Sequence, residues 1–155
     1  SFSVLENCRL AAQAMHQQPW AWWRGARSCA KSTQAAQDAA TQAGLNDLLD
    51  REAGLLSHGQ KRQLEIAMCL ATQPSVLLLD EPLAGMGAEE TERMLELLTA
   101  LKASHAMLLI EHDMDAVFRV ADVITVLVNG QLIACGSPEA VRNSPEVRVA
   151  YLGDH

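Results

Sequence analysis

Short apolar segments alternate with amphipathic helical patterns in the part of the chain that follows residue 55. Three apolar segments have the length of strands and are expected to be buried on both faces, as in a parallel sheet covered by helices. Between them, apolar residues recur at i, i+3, i+4 and i+7, the spacing of one helix face. This alternation predicts βαβ units and an α/β fold with a parallel sheet. The predicted strands are residues 76–79, 106–110 and 123–128, and the two helical stripes are Met94, Leu97, Leu98 and Leu101, then Met114, Val117, Phe118 and Ala121.

A hairpin and an Ala-rich segment flank this pattern. Residues 132–135 follow the turn dipeptide Asn129-Gly130 and are predicted to pair with the preceding strand. Before residue 55, Ala, Gln, Met and Leu dominate, which predicts helices over residues 3–17 and 33–43. We therefore predict two parts, a helical subdomain over residues 1–54 and an α/β part over residues 55–155.

The composition is typical of a globular chain. The 155 residues are 49% hydrophobic and carry a net charge of −7, with an isoelectric point near 5.1. This acidic balance disfavours nucleic acid as a partner, and no apolar run approaches the roughly 18 residues of a membrane span. The 4 cysteines are scattered without a CxxC pair, which favours a reducing compartment over a disulfide or zinc framework.

The first candidate chemistry lies at the end of a predicted strand. Residues 76–79 are followed by two acids, Asp80 and Glu81, and then by Pro82. In open α/β folds, ligands bind at this carboxyl edge of the sheet. In nucleotide hydrolases an acid at such a strand end holds Mg²⁺, and a second acid can orient or deprotonate an attacking water. A solvated acidic turn explains the same residues equally well, so this motif alone leaves both interpretations open.

The second motif predicts the start of a helix that could hold an anion. Ser57 is suited to cap the helix, and Gln60 three residues later completes a capping box. Gly59 would let a phosphate approach the free backbone N–H groups of the first turn, where the helix dipole favours negative charge. Taken alone, an ordinary capped helix is the simpler interpretation. The buried stripe of this helix is predicted at Leu64, Ala67, Met68 and Ala71.

The third motif is a histidine at the end of another predicted strand. Glu111-His112-Asp113 follows residues 106–110 directly. An imidazole at this place could donate a hydrogen bond to a terminal phosphate or to the attacking water. A histidine at a strand end is more often structural, so His112 gains meaning only beside the other two motifs.

Together and in this order, the three motifs strongly resemble those of the ATP-binding-cassette (ABC) ATPases. Residues 56–60, Leu-Ser-His-Gly-Gln, resemble the family signature LSGGQ, with His58 in place of a glycine. The resemblance extends from residue 56 to the C terminus. It implies an α/β, P-loop NTPase-like domain with a helical subdomain, which uses ATP and Mg²⁺. The resemblance implies that Asp80 binds Mg²⁺ through water and that Glu81 and the switch histidine, His112, are catalytic. It implies that the signature contacts the ATP of a partner subunit through Ser57, His58, Gly59 and Gln60. It also implies that Gly85 and Gly87 belong to the D-loop.

Two departures from the family pattern bear on activity. Many relatives carry Asp where this chain has Gly87, which weakens the expectation that paired sites communicate through the D-loop. The nearest match to the phosphate-cradling Walker A loop, residues 25–32, has Ala30 where a glycine is needed and follows no apolar strand. We therefore expect a chain that lacks the N-terminal part of the domain, with its Walker A, adenine-stacking residue and Q-loop, and that is inactive as a fragment.

Within the family, residues 84–86, 89–91 and 149–153 most resemble the ATPases of branched-chain amino-acid importers. This resemblance implies a peripheral subunit at the cytoplasmic face of the inner membrane, paired with a second ATPase subunit in a homodimer or heterodimer. It would contact transmembrane permease subunits and, indirectly, a substrate-binding protein. Trp20, Trp22 and Trp23 would either pack in the core or anchor the permease.

Other functions remain open at this point. ATPases of urea importers and lipopolysaccharide exporters end similarly. A cassette ATPase of DNA maintenance or translation is disfavoured, because the chain has neither long coiled coils nor a basic balance. A non-catalytic ABC fragment that acts only as an interaction module is the remaining alternative.

Overall fold

The computed structural model describes residues 2–16 and 30–152, which fall into two units, Ser1–Ile110 and Glu111–His155. Trp20, Trp22, Trp23 and residues 25–29 of the Walker-like segment lie outside the described residues. The predicted subdomain division at residues 54 and 55 stays a prediction.

The first unit contains α1 (Val4–His16), α2 (Ala30–Gln42), α3 (His58–Ala71), β1 (Val76–Asp80), α4 (Ala88–Lys102) and β2 (Ala106–Ile110). The second contains α5 (Met114–Val120), β3 (Ile124–Val128), β4 (Gln131–Gly136), α6 (Pro138–Arg142), α7 (Pro145–Val147) and a π-helical turn (Arg148–Leu152).

The first three helices of the first unit pack against one another. A capping box starts α1, because the Ser3 hydroxyl accepts from the Glu6 N–H and the Glu6 carboxylate accepts from the Ser3 N–H. Helix α2 begins three residues earlier than predicted, since Ala30 and Lys31 are themselves strong helix formers. Small side chains let α2 approach its neighbours closely, and its buried face consists of Ser32, Ala35, Ala36, Ala39 and Ala40.

Strands β1 and β2 form a parallel pair, in register from Val76 opposite Ala106 to Asp80 opposite Ile110. This pair and the intervening α4 confirm the predicted βαβ unit, and all four stripe residues of α4 are buried. The prediction that these strands are buried on both faces is wrong, because among the described residues only one face of the pair is covered. The exposed face carries Val76, Leu78, Leu108 and Ile110, which are 53–72% exposed.

The second unit is built on an antiparallel hairpin of β3 and β4. Asn129 and Gly130 both have positive φ, 51° and 77°, as a two-residue type I′ hairpin turn requires. The hairpin was predicted, but burial of β3 on both faces was not correct, since Leu127 is exposed. Its core is Ile124, Val126, Val141 and Val147, against which the predicted stripe of Met114, Val117, Phe118 and Ala121 packs.

None of the helices within residues 2–16 and 30–152 combines the length and the apolar character that crossing a bilayer would need.

Candidate functional site

The first turn of α3 is fixed by the capping box that the sequence predicted. Ser57 Oγ accepts from the Gln60 N–H at 3.3 Å, and Gln60 Oε1 accepts from the Ser57 N–H at 3.0 Å. The stripe behind this turn agrees with the prediction at Leu64, Ala67 and Ala71, whereas Met68 is only half-buried. The start of α3 therefore has a defined geometry before any ligand arrives.

An anionic side chain already lies on this turn. Glu90, in the first turn of α4, places Oε1 2.9 Å from Ser57 Oγ and 3.2 Å from the Gly59 nitrogen. A Cβ at Gly59 would lie only 2.8 Å from the Glu90 carboxyl carbon, so the absence of a side chain there makes the close approach possible. Hydrogen bonds from the Ser57 hydroxyl and then from the Gly59 N–H lower the pKa of Glu90 below its ordinary value. The donors of this turn are thus arranged to hold a negative charge.

His58 connects the start of α3 to the loop that precedes α4. Its Nε2 lies 3.0 Å from the Ala84 carbonyl oxygen, a contact in which the imidazole donates. Gly85 has a φ of +74°, which favours glycine, and a Cβ there would lie 3.1 Å from His58 Nε2. Gly87 is the N-cap of α4, with no neighbour that a Cβ would meet within 4 Å. The residue that departs from the usual signature is therefore the one that contacts the predicted D-loop.

The acidic end of β1 has an unusual backbone. Asp80 closes the strand, and the Glu81 N–H continues the pairing by donating to the Ile110 carbonyl at 2.9 Å. Glu81 has a φ of +45°, a left-handed conformation that is costly for a residue other than glycine. Ala84 then donates its N–H to the Glu81 carbonyl at 3.2 Å, which closes a turn. Strain of this kind is concentrated at functional sites.

A cavity of about 170 Å³ lies between α3 and the end of β1, with Asp80, Arg62 and Glu65 in its lining. Mg²⁺ prefers oxygen ligands, keeps several waters, and in nucleotide sites uses one or two carboxylates together with phosphate oxygens. Asp80 supplies one exposed carboxylate, whereas the Glu65 carboxylate in the same lining already pairs with the Arg62 guanidinium at 2.8 Å. Within residues 2–16 and 30–152, no group of three or more potential metal ligands occurs, so an all-protein metal cage is not available there.

His112 belongs to the second unit, where its side chain is 72% exposed. The backbone N–H of His112 donates to Glu111 Oε2 at 3.3 Å. The next residue, Asp113, caps α5 by accepting from the Ala116 N–H at 3.1 Å. The structure therefore brings the signature residue His58 into contact with the loop before α4, within the first unit. His112 lies in the second unit.

The ABC transporter family model matches residues 2–84, which is more than half of the chain. The chain belongs to the ABC transporter family. A second model, for the branched-chain amino acid ATP-binding cassette transporter, matches residues 131–155 of this ABC chain.

Among curated proteins, the ABC chain is similar to two high-affinity branched-chain amino acid transport ATP-binding proteins. BraF of Pseudomonas aeruginosa is 44% identical over 115 residues, which are 73% of this chain and 45% of BraF. LivG of Escherichia coli is 46% identical over 113 residues, which are 72% of this chain and 44% of LivG. The chain therefore spans somewhat less than half the length of these relatives.

Among solved structures, the ABC chain is similar to the ADP conformation of MJ1267, an ATP-binding cassette of an ABC transporter. The TM-score is 0.82 at 30% identity, covering 99% of this chain and 63% of that one. The predicted fold class, an α/β ABC ATPase domain, is confirmed.

Two contacts of the site were not predicted. Glu90 lies 33 positions from Ser57, and only the packing of α4 beside α3 brings the two together. His58 was assigned to the signature without its hydrogen bond to Ala84. The one local signal was that Glu90 is the third residue of a helix, a position from which a glutamate often reaches backbone N–H groups.

Proposed function

We propose that this ABC chain belongs to the ATP-binding subunit of an importer that couples ATP hydrolysis to uptake of branched-chain amino acids. The observation that carries the proposal is the anion-holding start of α3, occupied by the Glu90 carboxylate, in the same unit as the strained acidic end of β1. The similarity to BraF and LivG, which are branched-chain amino acid transport ATP-binding proteins, supports the solute class.

Bound ATP and Mg²⁺ would supply the phosphoanhydride and the charge neutralisation that phosphoryl transfer needs. Asp80, which is exposed at the end of β1, would hold Mg²⁺ through water. Glu81 would accept the proton of the attacking water, a role for which an ionised carboxylate is suited. His112 would donate a hydrogen bond to the terminal phosphate.

The signature turn would act on the ATP of a second ATPase subunit. Ser57 and Gly59 offer a hydroxyl and an N–H at the positive end of α3, and Gln60 keeps that turn in place through the capping box. His58, Gly85 and Gly87 would form the contact between signature and D-loop. In this arrangement two subunits enclose two ATP molecules, bind transmembrane permease subunits, and lie at the cytoplasmic face of the inner membrane.

Residues 1–155 alone are expected to show no ATP turnover. The segment that comes nearest to a Walker A loop ends inside α2, where Ser32 is fully buried and cannot serve Mg²⁺. Phosphoryl transfer depends mostly on positioning of the phosphates, and the described end of this segment, residues 30–32, is the start of a helix. Phosphate release at the rate of a buffer blank is the expected result. Mg²⁺-dependent turnover that disappears in Glu81→Gln would contradict this expectation and restore residues 25–32 as a phosphate loop.

Leucine uptake tests the proposed function. A chimera joins the N-terminal part of Escherichia coli LivG to this chain and is expressed in a strain that lacks LivG. Restored uptake that Glu81→Gln abolishes is expected. ATP hydrolysis by the purified chimera without leucine uptake would assign a different solute, and absence of both activities in a folded chimera would contradict the ATPase assignment.

A further inference from the structure

The two donors that the proposed function assigns to a phosphate are already engaged. The Ser57 hydroxyl has a single hydrogen and the Gly59 N–H has a single hydrogen. Both contact the same atom, Oε1 of Glu90, at 2.9 and 3.2 Å. An anion from elsewhere cannot use either donor while this contact persists.

We propose that Glu90 is a positioning residue whose carboxylate occupies the phosphate site at the start of α3 and must leave before the ATP of a partner subunit can be bound there. The inference rests on the proposed function, because it takes the signature turn to be a phosphate site. Two negative groups of this size cannot share one hydroxyl and one N–H, and their charges repel each other. Phosphate binding and release of Glu90 are therefore a single exchange.

The position of Glu90 connects this exchange to the D-loop. Glu90 follows Gly87 by three residues, and the loop from Leu83 to Gly87 is held to α3 by the contact between His58 Nε2 and the Ala84 carbonyl. Departure of Glu90 removes two hydrogen bonds between the starts of α3 and α4 and leaves the His58 contact. A phosphate on the signature turn would thus loosen α4 from α3 at the loop that leads from Glu81.

Protonation does not replace displacement at neutral pH. The Ser57 and Gly59 donors hold the pKa of Glu90 below its ordinary value, so the carboxylate stays charged there. Glu90 therefore competes as an anion under the conditions in which ATP is bound.

A merely structural role for Glu90 makes a different prediction. Glu90 is the third residue of α4, and the backbone of the N-cap Gly87 also lowers its pKa through a hydrogen bond. If capping α4 were its only role, neutralising Glu90 would alter the stability of the helix and leave the affinity of α3 for anions unchanged.

Equilibrium dialysis of pyrophosphate against the whole chain separates these roles, and it does not require a monomeric sample. Glu90→Gln should bind pyrophosphate about three- to tenfold more tightly than the unaltered chain. In the unaltered chain the Glu90 carboxylate occupies the site most of the time, so the apparent affinity for pyrophosphate is reduced to the fraction of molecules in which the site is free. Glu89→Gln is the matched control. It removes the same charge from the same turn, but Glu89 pairs with Arg93 on the exposed surface and is expected to change the affinity little.

Glu90→Asp keeps the charge but withdraws it by one methylene, so it should also tighten binding. The amide signal of Gly59 in ¹⁵N spectra locates the bound anion, and Ser57→Ala should weaken binding in every background. Circular dichroism checks that each variant keeps its helices.

Three results would overturn the inference. Equal affinity in the unaltered chain, Glu90→Gln and Glu90→Asp, with Ser57→Ala still weakening it, would remove Glu90 as competitor and leave the phosphate site of the proposed function intact. An equal gain in Glu89→Gln would reduce the effect to general charge. Absence of any Gly59 response to pyrophosphate in all variants would overturn both the inference and the phosphate site.

Discussion

At the scale of single residues, Cys8 shows how burial sets reactivity. Its side chain is fully buried in α1, and this burial raises the pKa of the Cys8 thiol to about 11. Only thiolates react readily with alkylating agents, so a buried neutral thiol is protected at mild pH. Cys69 and Cys135 are exposed and have no such protection.

Iodoacetamide at pH 8 should therefore modify Cys69 and Cys135 at least about tenfold faster than Cys8 in the native chain. Peptide mass mapping after timed quenching gives the rate at each site. The same reaction in concentrated urea is the control, where the three rates should converge. Native labelling of Cys8 as fast as Cys69 would show that α1 does not stay packed.

Features of single residues could be predicted when neighbouring positions in the sequence determine them. The capping box of Ser57 and Gln60 and the acids at the end of β1 are encoded within a few positions, so the sequence could predict them. The contact of Glu90 with Ser57 could not be predicted, because it depends on how two helices separated by a strand pack together. The positive φ of Glu81 also has no local signal, since glutamate does not favour that conformation.

At the scale of elements, α3 depends on its first turn for both stability and site geometry. Ser57→Ala removes the acceptor for the Gln60 N–H, and loss of such a cap typically costs about 1 kcal/mol. Urea unfolding, monitored by circular dichroism, should show a free energy of unfolding lower by about this amount. Ser75→Ala, at an exposed serine before β1, is the control. An unchanged midpoint in Ser57→Ala would mean that water replaces the cap without loss.

The elements themselves were predictable because their periodicities are strong. The stripe of α4 and the turn at Asn129 and Gly130 were both found where the pattern placed them. Burial of the strands on two faces was not, since apolar side chains show what a strand can pack against and not which partner is present. Val76 and Leu78 are the clearest cases, 53% and 72% exposed.

At the scale of the whole molecule, we expect the exposed apolar face of β1 and β2 to govern behaviour in solution. Exposed apolar patches and unpaired strand edges promote association between chains. We expect the isolated chain to self-associate and to bind a hydrophobic dye, with both effects measured by sedimentation and fluorescence. Leu78→Lys should reduce association, whereas Leu132→Lys, at an exposed leucine of β4, is the control and should do so less. A clean monomer without dye binding would contradict the importance of this face.

The identity of the family was predictable because the order of the motifs carries it. Composition and charge only excluded other classes of protein, and neither the signature turn nor the end of β1 was decisive alone. The placement of His112 just after β2 agrees with the sequence pattern, whereas its role at a phosphate stays a prediction.

In the function that we propose, the acidic end of β1 performs hydrolysis while the signature turn of α3 closes on ATP. ATP turnover and ATP-dependent dimerisation of the LivG chimera, compared with and without Glu81→Gln, test it most directly. The glutamine keeps the size of the side chain and can still hydrogen-bond water but cannot accept its proton. We expect Glu81→Gln to abolish turnover while ATP still produces dimers in sedimentation. Turnover that persists in Glu81→Gln, or a folded variant that no longer dimerises with ATP, would contradict it.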